Sequence, residues 1–312
     1  MTQPDLSIVI VSWNVRDLLR ACLASLAPGR DALRLEVIVV DSGSGDGSPD
    51  MVQLEFPWVE LIARPDNVGF PRGNNLAIQQ STGRYILLLN PDTEVVDDAL
   101  VTMVEYLDQQ PPVGAVGPQL RYPDGRVQSS RRRFPTLVTG LLESTWWQSR
   151  APQSVLDHYY MRDRPDDTVS EVDWLMGACL MVRRQVVEEV GGLDEAYFMY
   201  SEELDWCRRI KSAGWRVVYL PTARIIHHEG KSSEQAVTAR HINFNRAKLR
   251  YFRKYHGRAA CLALRLWLLA NYAGQMGLEG LKGLLGHKRS LRRQRVSAYW
   301  QVLRSGLRPA GY

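Results

Sequence analysis

From Leu6 to Leu89 the chain alternates short, unbroken apolar runs with longer stretches whose apolar residues recur at helical spacing. The runs are Leu6 to Val11, Leu35 to Val40, Val59 to Ala63 and Tyr85 to Leu89. A strand with one wet face shows period two, so continuous runs of this length predict strands covered on both faces. Between them, Val15 to Leu26 places Leu18, Leu19, Cys22, Leu23 and Leu26 on one face of a helix, and a second helix is predicted from about Asn74 to Gln80. Strand, helix and strand in repetition predict an α/β fold with a largely parallel sheet, whose ligands bind beyond the carboxyl ends of the strands.

The rest of the chain is organised differently. Val113 to Gln128 reads as strand, turn (Pro123-Asp124-Gly125) and strand, and Arg131 to Glu171 has little periodicity. Val172 to Val182 reads as strand, followed by a helix from Arg184 to the Gly191-Gly192 stop and another from Glu202 to Ser212. Trp215 to Leu220 and Arg224 to His227 read as two short strands, and everything from about Glu234 onward as helix. The expected domains are residues 1–257 and a helical extension over 258–312.

Four cysteines, Cys22, Cys179, Cys207 and Cys261, lie too far apart for a C-x-x-C pair, which predicts a reducing compartment. No basic start with an apolar core opens the chain, so no signal peptide is expected. The net charge of +5 hides an asymmetry: Arg246 to Tyr312 holds 15 Lys and Arg against one acid, Glu279, and the remainder carries −9. Such a tail calls for an anionic partner, a membrane surface or nucleic acid.

Three polar clusters fall at predicted strand ends. Asp41, before Ser42-Gly43-Ser44-Gly45, either accepts hydrogen bonds from a base or ribose or caps the next helix. Asn67 to Asn75 holds two glycines that let backbone approach a ligand, Arg72 as a fork for phosphate, and asparagines for sugar or base; a capped loop is the alternative. In Asn90-Pro91-Asp92, a stiffened aspartate at a strand end suits Mg²⁺ or Mn²⁺ completed by diphosphate and water, or is a turn residue. Further on, Asp194, Glu195, Glu202, Glu203 and Asp205 gather among aromatics, and helix capping explains only some of them. His227-His228-Glu229-Gly230-Lys231-Ser232 ends a strand; neighbouring histidines face opposite ways, so one at most would reach a metal or diphosphate, with Lys231 and Ser232 beside it.

In this order the motifs resemble the family-2 glycosyltransferases of GT-A fold, particularly bacterial rhamnosyltransferase-like enzymes of surface polysaccharide synthesis, over Leu6 to Gly257. The resemblance implies a Rossmann-like mixed sheet flanked by helices. It implies nucleotide-sugar contacts from Ser12, Asn14, Asp41, Ser42, Gly43, Asn67, Gly69, Phe70, Arg72, Asn74, Asn90 and Asp92. Trp174, Gly177 and Ala178 would lie on the acceptor side, and Asp92 with His227 would hold Mn²⁺ or Mg²⁺. The base would come from Glu203, with Glu202 and Asp205 as rivals. Two departures stand out: Asn90-Pro91-Asp92 leaves one carboxylate of the D-x-D pair, and Glu202-Glu203 replaces Glu-Asp.

The same resemblance implies an inverting transfer of a sugar such as rhamnose from a dTDP- or UDP-linked donor, non-processive because Q-x-x-R-W is absent. The implied acceptor is a glycan or polyprenyl-linked hydroxyl, in a cytoplasmic protein held at the inner face of the cell membrane, as monomer or homodimer. The alternatives are a non-catalytic nucleotide-sugar-binding protein and a basic-tailed nucleic-acid-binding protein; the acidic body and the leucines in the tail speak against nucleic acid. The tail's most apolar stretch, Ala259 to Leu278, is interrupted by Arg265, Asn271 and Gln275. Spanning takes about 20 largely apolar residues, so an interfacial helix on anionic lipid is expected, or else a helical pair packed on protein.

Overall fold

The computed structural model describes residues 3–229 and 237–308. They form two compact units: the described parts of Met1–Phe134, Tyr160–Phe198 and Glu202–Ser232, and those of Pro135–Tyr159, Met199–Ser201 and Ser233–Tyr312.

In the first unit β1 (Leu6–Ser12) pairs in parallel with β2 (Leu35–Ser42), and β2 with β3 (Glu60–Arg64). On its other side β1 pairs in parallel with β4 (Tyr85–Leu89). The helices between are α1 (Arg16–Leu26), the short α2 (Gly29–Ala32), α3 (Ser48–Glu55) and α4 (Phe70–Gln80). Alternate residues of β1 go to opposite cores: Leu6, Ile8 and Ile10 pack with Leu19, Leu23 and Leu26 of α1, and Val9 and Val11 with Ala77 and Ile78 of α4. Each fully buried aliphatic side chain contributes about 1.5–3 kcal/mol relative to exposure, which is why the runs are apolar without interruption. Helix α4 starts at Phe70, not at Asn74 as expected: Pro71 sits in the first turn, where no amide hydrogen is needed.

Beyond β4 the sheet turns mixed. The chain continues through β5 (Thr93–Val95), α5 (Ala99–Gln109), β6 (Val113–Arg121), β7 (Arg131–Arg132), α6 (Leu137–Leu142), α7 (Gln153–Tyr159), β8 (Ser170–Glu171), β9 (Trp174–Leu175) and β10 (Cys179–Arg183). After α8 (Arg184–Val190) and α9 (Glu202–Ser212) comes β11 (Arg216–His227). The order is β3-β2-β1-β4-β10-β6-β11-β5, with β10 antiparallel to β4 and to β6. Three expectations are corrected. The two strands predicted after Trp215 are one, β11, with an irregularity between Leu220 and Arg224 that keeps it paired to β6. After Pro123-Asp124-Gly125 only the isolated bridge Arg121–Val127 forms, since the chain leaves the sheet there. The strand predicted from Val172 to Val182 is split into β9, which pairs with β7, and β10 in the main sheet.

In the second unit α10 (Val237–Leu284), broken at Gly257, is followed by α11 (Arg289–Ser305). The face of α10 expected to meet lipid is partly spent on packing: Cys261, Leu264, Leu268 and Tyr272 are buried. No described helix is long and apolar enough to cross a membrane.

Candidate active site

Because β1, β2 and β4 run parallel, their carboxyl ends share one edge of the sheet. Ser12 and Asp41 are register partners there, both buried. The loops after β1 and β2 are stitched together: Asn14 donates its amide to Ser44 Oγ (2.9 Å), and its Oδ1 accepts from the Gly45 amide (2.8 Å). Asp41 Oδ1 accepts from the Ser44 amide (2.9 Å), so part of Asp41 serves the turn. Its Oδ2 and the Ser12 hydroxyl are buried without a hydrogen-bond partner. A buried carboxylate oxygen left so is costly unless a ligand completes it.

The segment from Asn67 is built to bring backbone close. Ser42 Oγ accepts from the Val68 amide (2.9 Å) and Asn67 Oδ1 from the Gly69 amide (3.0 Å). Gly43 and Gly69 have φ of +76° and +80°, and a Cβ would meet Asp66 C at 2.9 Å and Phe198 O at 2.6 Å respectively. Only glycine meets both demands. Phe70 follows, its amide donating to Phe198 O (2.9 Å). The two asparagines part company. Asn75 bonds Leu193 and Glu195 and is structural, whereas buried Asn74 has its Oδ1 unpartnered. Arg72 is exposed, with no hydrogen bond or ion pair among the described residues.

At the end of β4, the Asn90 amide donates to Ala178 O (2.9 Å), joining this edge to the segment before β10. Asp92 is buried, and its main-chain oxygen accepts from the His228 amide (2.9 Å) as β5 pairs with the end of β11. This pairing sets His227 Nε2 at 3.4 Å from Asp92 Oδ1. The histidines face apart, as expected: His228 pairs with Glu94 (2.6 Å). His227 Nδ1 lies 2.7 Å from Gln128 Oε1, and Gln128 Nε2 donates to Glu229 (2.9 Å). With the amide oriented by Glu229, a neutral His227 carries its proton on Nδ1. Its Nε2 lone pair, buried without a hydrogen-bond partner, then faces the Asp92 carboxylate. Among the described residues no three His, Cys, Asp or Glu gather as a metal-binding group, so Asp92 and His227 are a pair. Lys231 and Ser232 lie outside the described residues.

Of the acids near Tyr200, three have structural partners. Asp194 accepts from the Ala196 amide, and Glu195 from Asn75. Asp205, wholly buried, pairs with Arg209 (2.9 Å), whose other nitrogens donate to Val190 and Gly192 carbonyls; it anchors α9. Glu202 and Glu203 each keep a buried oxygen without a hydrogen-bond partner. They follow two left-handed residues, Tyr200 (φ 75°) and Ser201 (φ 63°), a costly backbone conformation for side chains of this kind. Burial pushes the Glu202 carboxyl well above the usual range, and the Glu203 charge pushes the same way. Burial also raises Glu203, against the pull of the Glu203, Gly177 and Leu204 amides and the charge of Arg132. Glu203 rests on the main chain at Gly177, where an added Cβ would lie 3.4 Å from its own. On the β7–β9 ribbon Arg132 opposes Trp174, its guanidinium 4.5 Å from the Tyr160 ring centre and 5.9 Å from that of Trp174. Sequence reasoning missed Gln128 and Arg132, which carry no motif of their own.

Residues 7–191 match the profile of glycosyl transferase family 2. The N-acetylglucosaminyl-diphospho-decaprenol L-rhamnosyltransferase of Mycobacterium tuberculosis is 32% identical over 242 residues, 73% of this chain and 77% of that protein. Rhamnosyltransferase WbbL of Escherichia coli is 30% identical over 229 residues, 71% and 82% of the two chains. Among solved structures, the mannosyltransferase PcManGT from Pyrobaculum calidifontis, in complex with GDP-Man and Mn²⁺, superposes with a TM-score of 0.58 at 18% identity, over 98% of this chain and 86% of that one. GalNAc-T7 with UDP, GalNAc and Mn²⁺ gives 0.57 at 14% identity, over 81% and 48%. At such identities the likeness is one of fold, the GT-A mixed sheet flanked by helices.

Proposed function

The chain belongs to glycosyl transferase family 2, and from that premise we propose that it inverts configuration while moving one sugar, rhamnose in our reading, from a dTDP- or UDP-linked donor to a hydroxyl of a polyprenyl-diphosphate-linked glycan. The observation that carries this reading is the set of buried polar atoms left unpartnered on one edge of the sheet: Ser12 Oγ, Asp41 Oδ2, Asn74 Oδ1 and His227 Nε2. Such atoms are the mark of a site completed by a polar ligand. The relatives named as rhamnosyltransferases support the choice of sugar, and the decaprenol in one of their names supports a lipid-linked acceptor.

Asp41, Ser12 and the backbone from Asn67 to Phe70 bind the nucleoside, and Arg72 has the reach and charge for the diphosphate. Asp92 and His227 fit a divalent cation, because a carboxylate oxygen and an imidazole lone pair face each other at 3.4 Å. With two protein ligands, such a cation would draw the rest of its shell from water and diphosphate oxygens. Bound there, Mn²⁺ or Mg²⁺ supplies a counter-charge for the leaving diphosphate. Glu203 takes the proton from the acceptor hydroxyl as that oxygen attacks the anomeric carbon and the bond to the nucleoside diphosphate breaks. Its raised pKa makes it a better proton acceptor than an exposed carboxylate. Glu202, which burial and the neighbouring Glu203 charge push toward its neutral form, keeps a second negative charge away from it. Trp174, Gly177 and Ala178 line the acceptor side, where the charge of Arg132 suits an anionic acceptor. We place the protein at the cytoplasmic face of the membrane that holds such a lipid.

The testing experiment is a donor screen that reads released nucleoside diphosphate with a short-chain lipid diphosphate acceptor, with and without Mn²⁺. Turnover with dTDP-rhamnose or its UDP counterpart, dependent on acceptor and cation, supports the reading; release from no donor defeats it. Asp41→Ala should weaken nucleoside diphosphate binding by about ten- to a hundredfold, the loss of a charge-assisted hydrogen bond worth about 1.5–3 kcal/mol, with turnover at saturation little changed. An unchanged dissociation constant by calorimetry would leave Asp41 only its bond to Ser44. Gln128→Leu removes the group that holds the His227 tautomer, and should weaken Mn²⁺ binding in the presence of nucleoside diphosphate by about 10–100-fold. Electron paramagnetic resonance of free Mn²⁺ checks this, and equal affinity in the two proteins would refute it.

A further inference from the structure

In the second unit α10 and α11 form an antiparallel hairpin. Arg292 bonds Glu279, the Tyr272 and Tyr299 rings meet at 5.6 Å, and Arg265 donates to Gly306 O (2.7 Å), so one helix descends as the other rises. The turn lies between Leu284 and Arg289, and it is built of residues that a turn facing only water would not choose. Leu281, Leu284 and Leu285 are 56%, 81% and 77% exposed. Around them stand Lys282, half-exposed, and Lys288, Arg289 and Arg293, all exposed. The one acid of this region, Glu279, is buried and neutralised by Arg292, with Arg295 and Lys282 nearby. The tip is thus apolar at its end and cationic around it.

We infer that this tip inserts end-on into an anionic lipid bilayer, with Leu281, Leu284 and Leu285 at the acyl boundary and Lys282, Lys288, Arg289 and Arg293 on lipid phosphates. The charge pattern selects lipid as the occupant. A second copy of the chain would bring the same cations against one another, whereas an anionic leaflet gains with each Lys or Arg that reaches it. The mode differs from a helix lying flat, because Cys261, Leu264, Leu268 and Tyr272 of the α10 stripe are already buried. Aliphatic side chains ringed by basic ones are the composition of interfacial anchors. The inference rests on the reading that the protein works at a membrane and adds the residues that enter it.

The test is co-sedimentation of the full-length protein and of Leu284→Asp/Leu285→Asp with vesicles of phosphatidylglycerol and phosphatidylcholine, and of phosphatidylcholine alone, at low and high salt. The substituted side chains are exposed, so circular dichroism and melting should match wild type. We expect wild type to bind anionic vesicles in a salt-sensitive way, and the double variant to partition about tenfold less or weaker still, as expected when buried apolar groups are replaced by acids. Turnover on a short-chain soluble acceptor should be unchanged. If wild type binds and the variant binds equally, insertion by the tip is wrong while the membrane reading stands. If wild type ignores anionic vesicles, both fall. A variant that alters only oligomeric state would also overturn the inference and identify the tip as a self-association surface.

Discussion

Glu203→Gln is expected to lower turnover by about 10²-fold or more while raising the melting temperature of the free protein at neutral pH. The two effects share one cause. Burial lifts the Glu203 carboxyl above the ordinary value of 4.5, so the folded protein binds this proton more tightly than the unfolded chain does. The associated stability is fully present below the unfolded value and is lost as pH rises through the raised folded value; near neutrality the ionised base is therefore a cost. Glutamine keeps the shape, removes the charge and cannot accept the proton. In wild type, turnover should rise with pH through that same raised value, since only the ionised form is a base. Donor binding should barely change. Steady-state kinetics, calorimetric binding and melting curves from acid to neutral pH check this. If Glu203→Gln retains turnover while Glu202→Gln or Asp205→Asn is dead, the base has been assigned to the wrong acid.

Asp92→Asn is the second large effect, an expected loss of about 10²-fold or more in turnover with the fold intact. The fold should survive because the main-chain oxygen of Asp92, and not its carboxylate, accepts from the His228 amide at the junction of β5 and β11. The side chain is nonetheless buried, beside an imidazole nitrogen without a hydrogen-bond partner. An amide there supplies a neutral oxygen where the proposed site needs an anionic one. Mn²⁺ affinity in the presence of nucleoside diphosphate should fall with turnover, and affinity for the nucleotide without metal should not. Near-normal turnover in metal-replete buffer would remove Asp92 from the chemistry.

The sequence was most informative where burial on both faces leaves one pattern, as in β1, whose alternate side chains enter two separate cores. It was silent on strand direction beyond β4, where the repetition of strand and helix ends. Cys179 to Arg183 looks as apolar as the parallel strands, yet β10 runs antiparallel to β4, because apolar composition records burial and not polarity of the chain. The start of α4 was misplaced because a glycine and a proline suggest a loop, although both suit a helix N-terminus. At the proposed site, the polar clusters after β2, β3 and β4 were visible because strand ends collect ligands in such sheets, whereas Ser12 and Asn14 after β1 came only from the family resemblance. Gln128 was not, since its meeting with His227 joins positions 99 apart in the chain. Nor could spacing alone separate Asp205 from Glu203. It took the contact with Arg209 to give Asp205 a structural task.

Single-displacement transfer with Glu203 as base is the central claim, and real-time proton NMR of the transferred sugar tests it most directly. With the donor sugar, a short-chain acceptor and Mn²⁺, single displacement predicts that the first product formed has the anomeric configuration opposite to that in the donor, growing as nucleoside diphosphate appears. A first product that keeps the donor's configuration would contradict it.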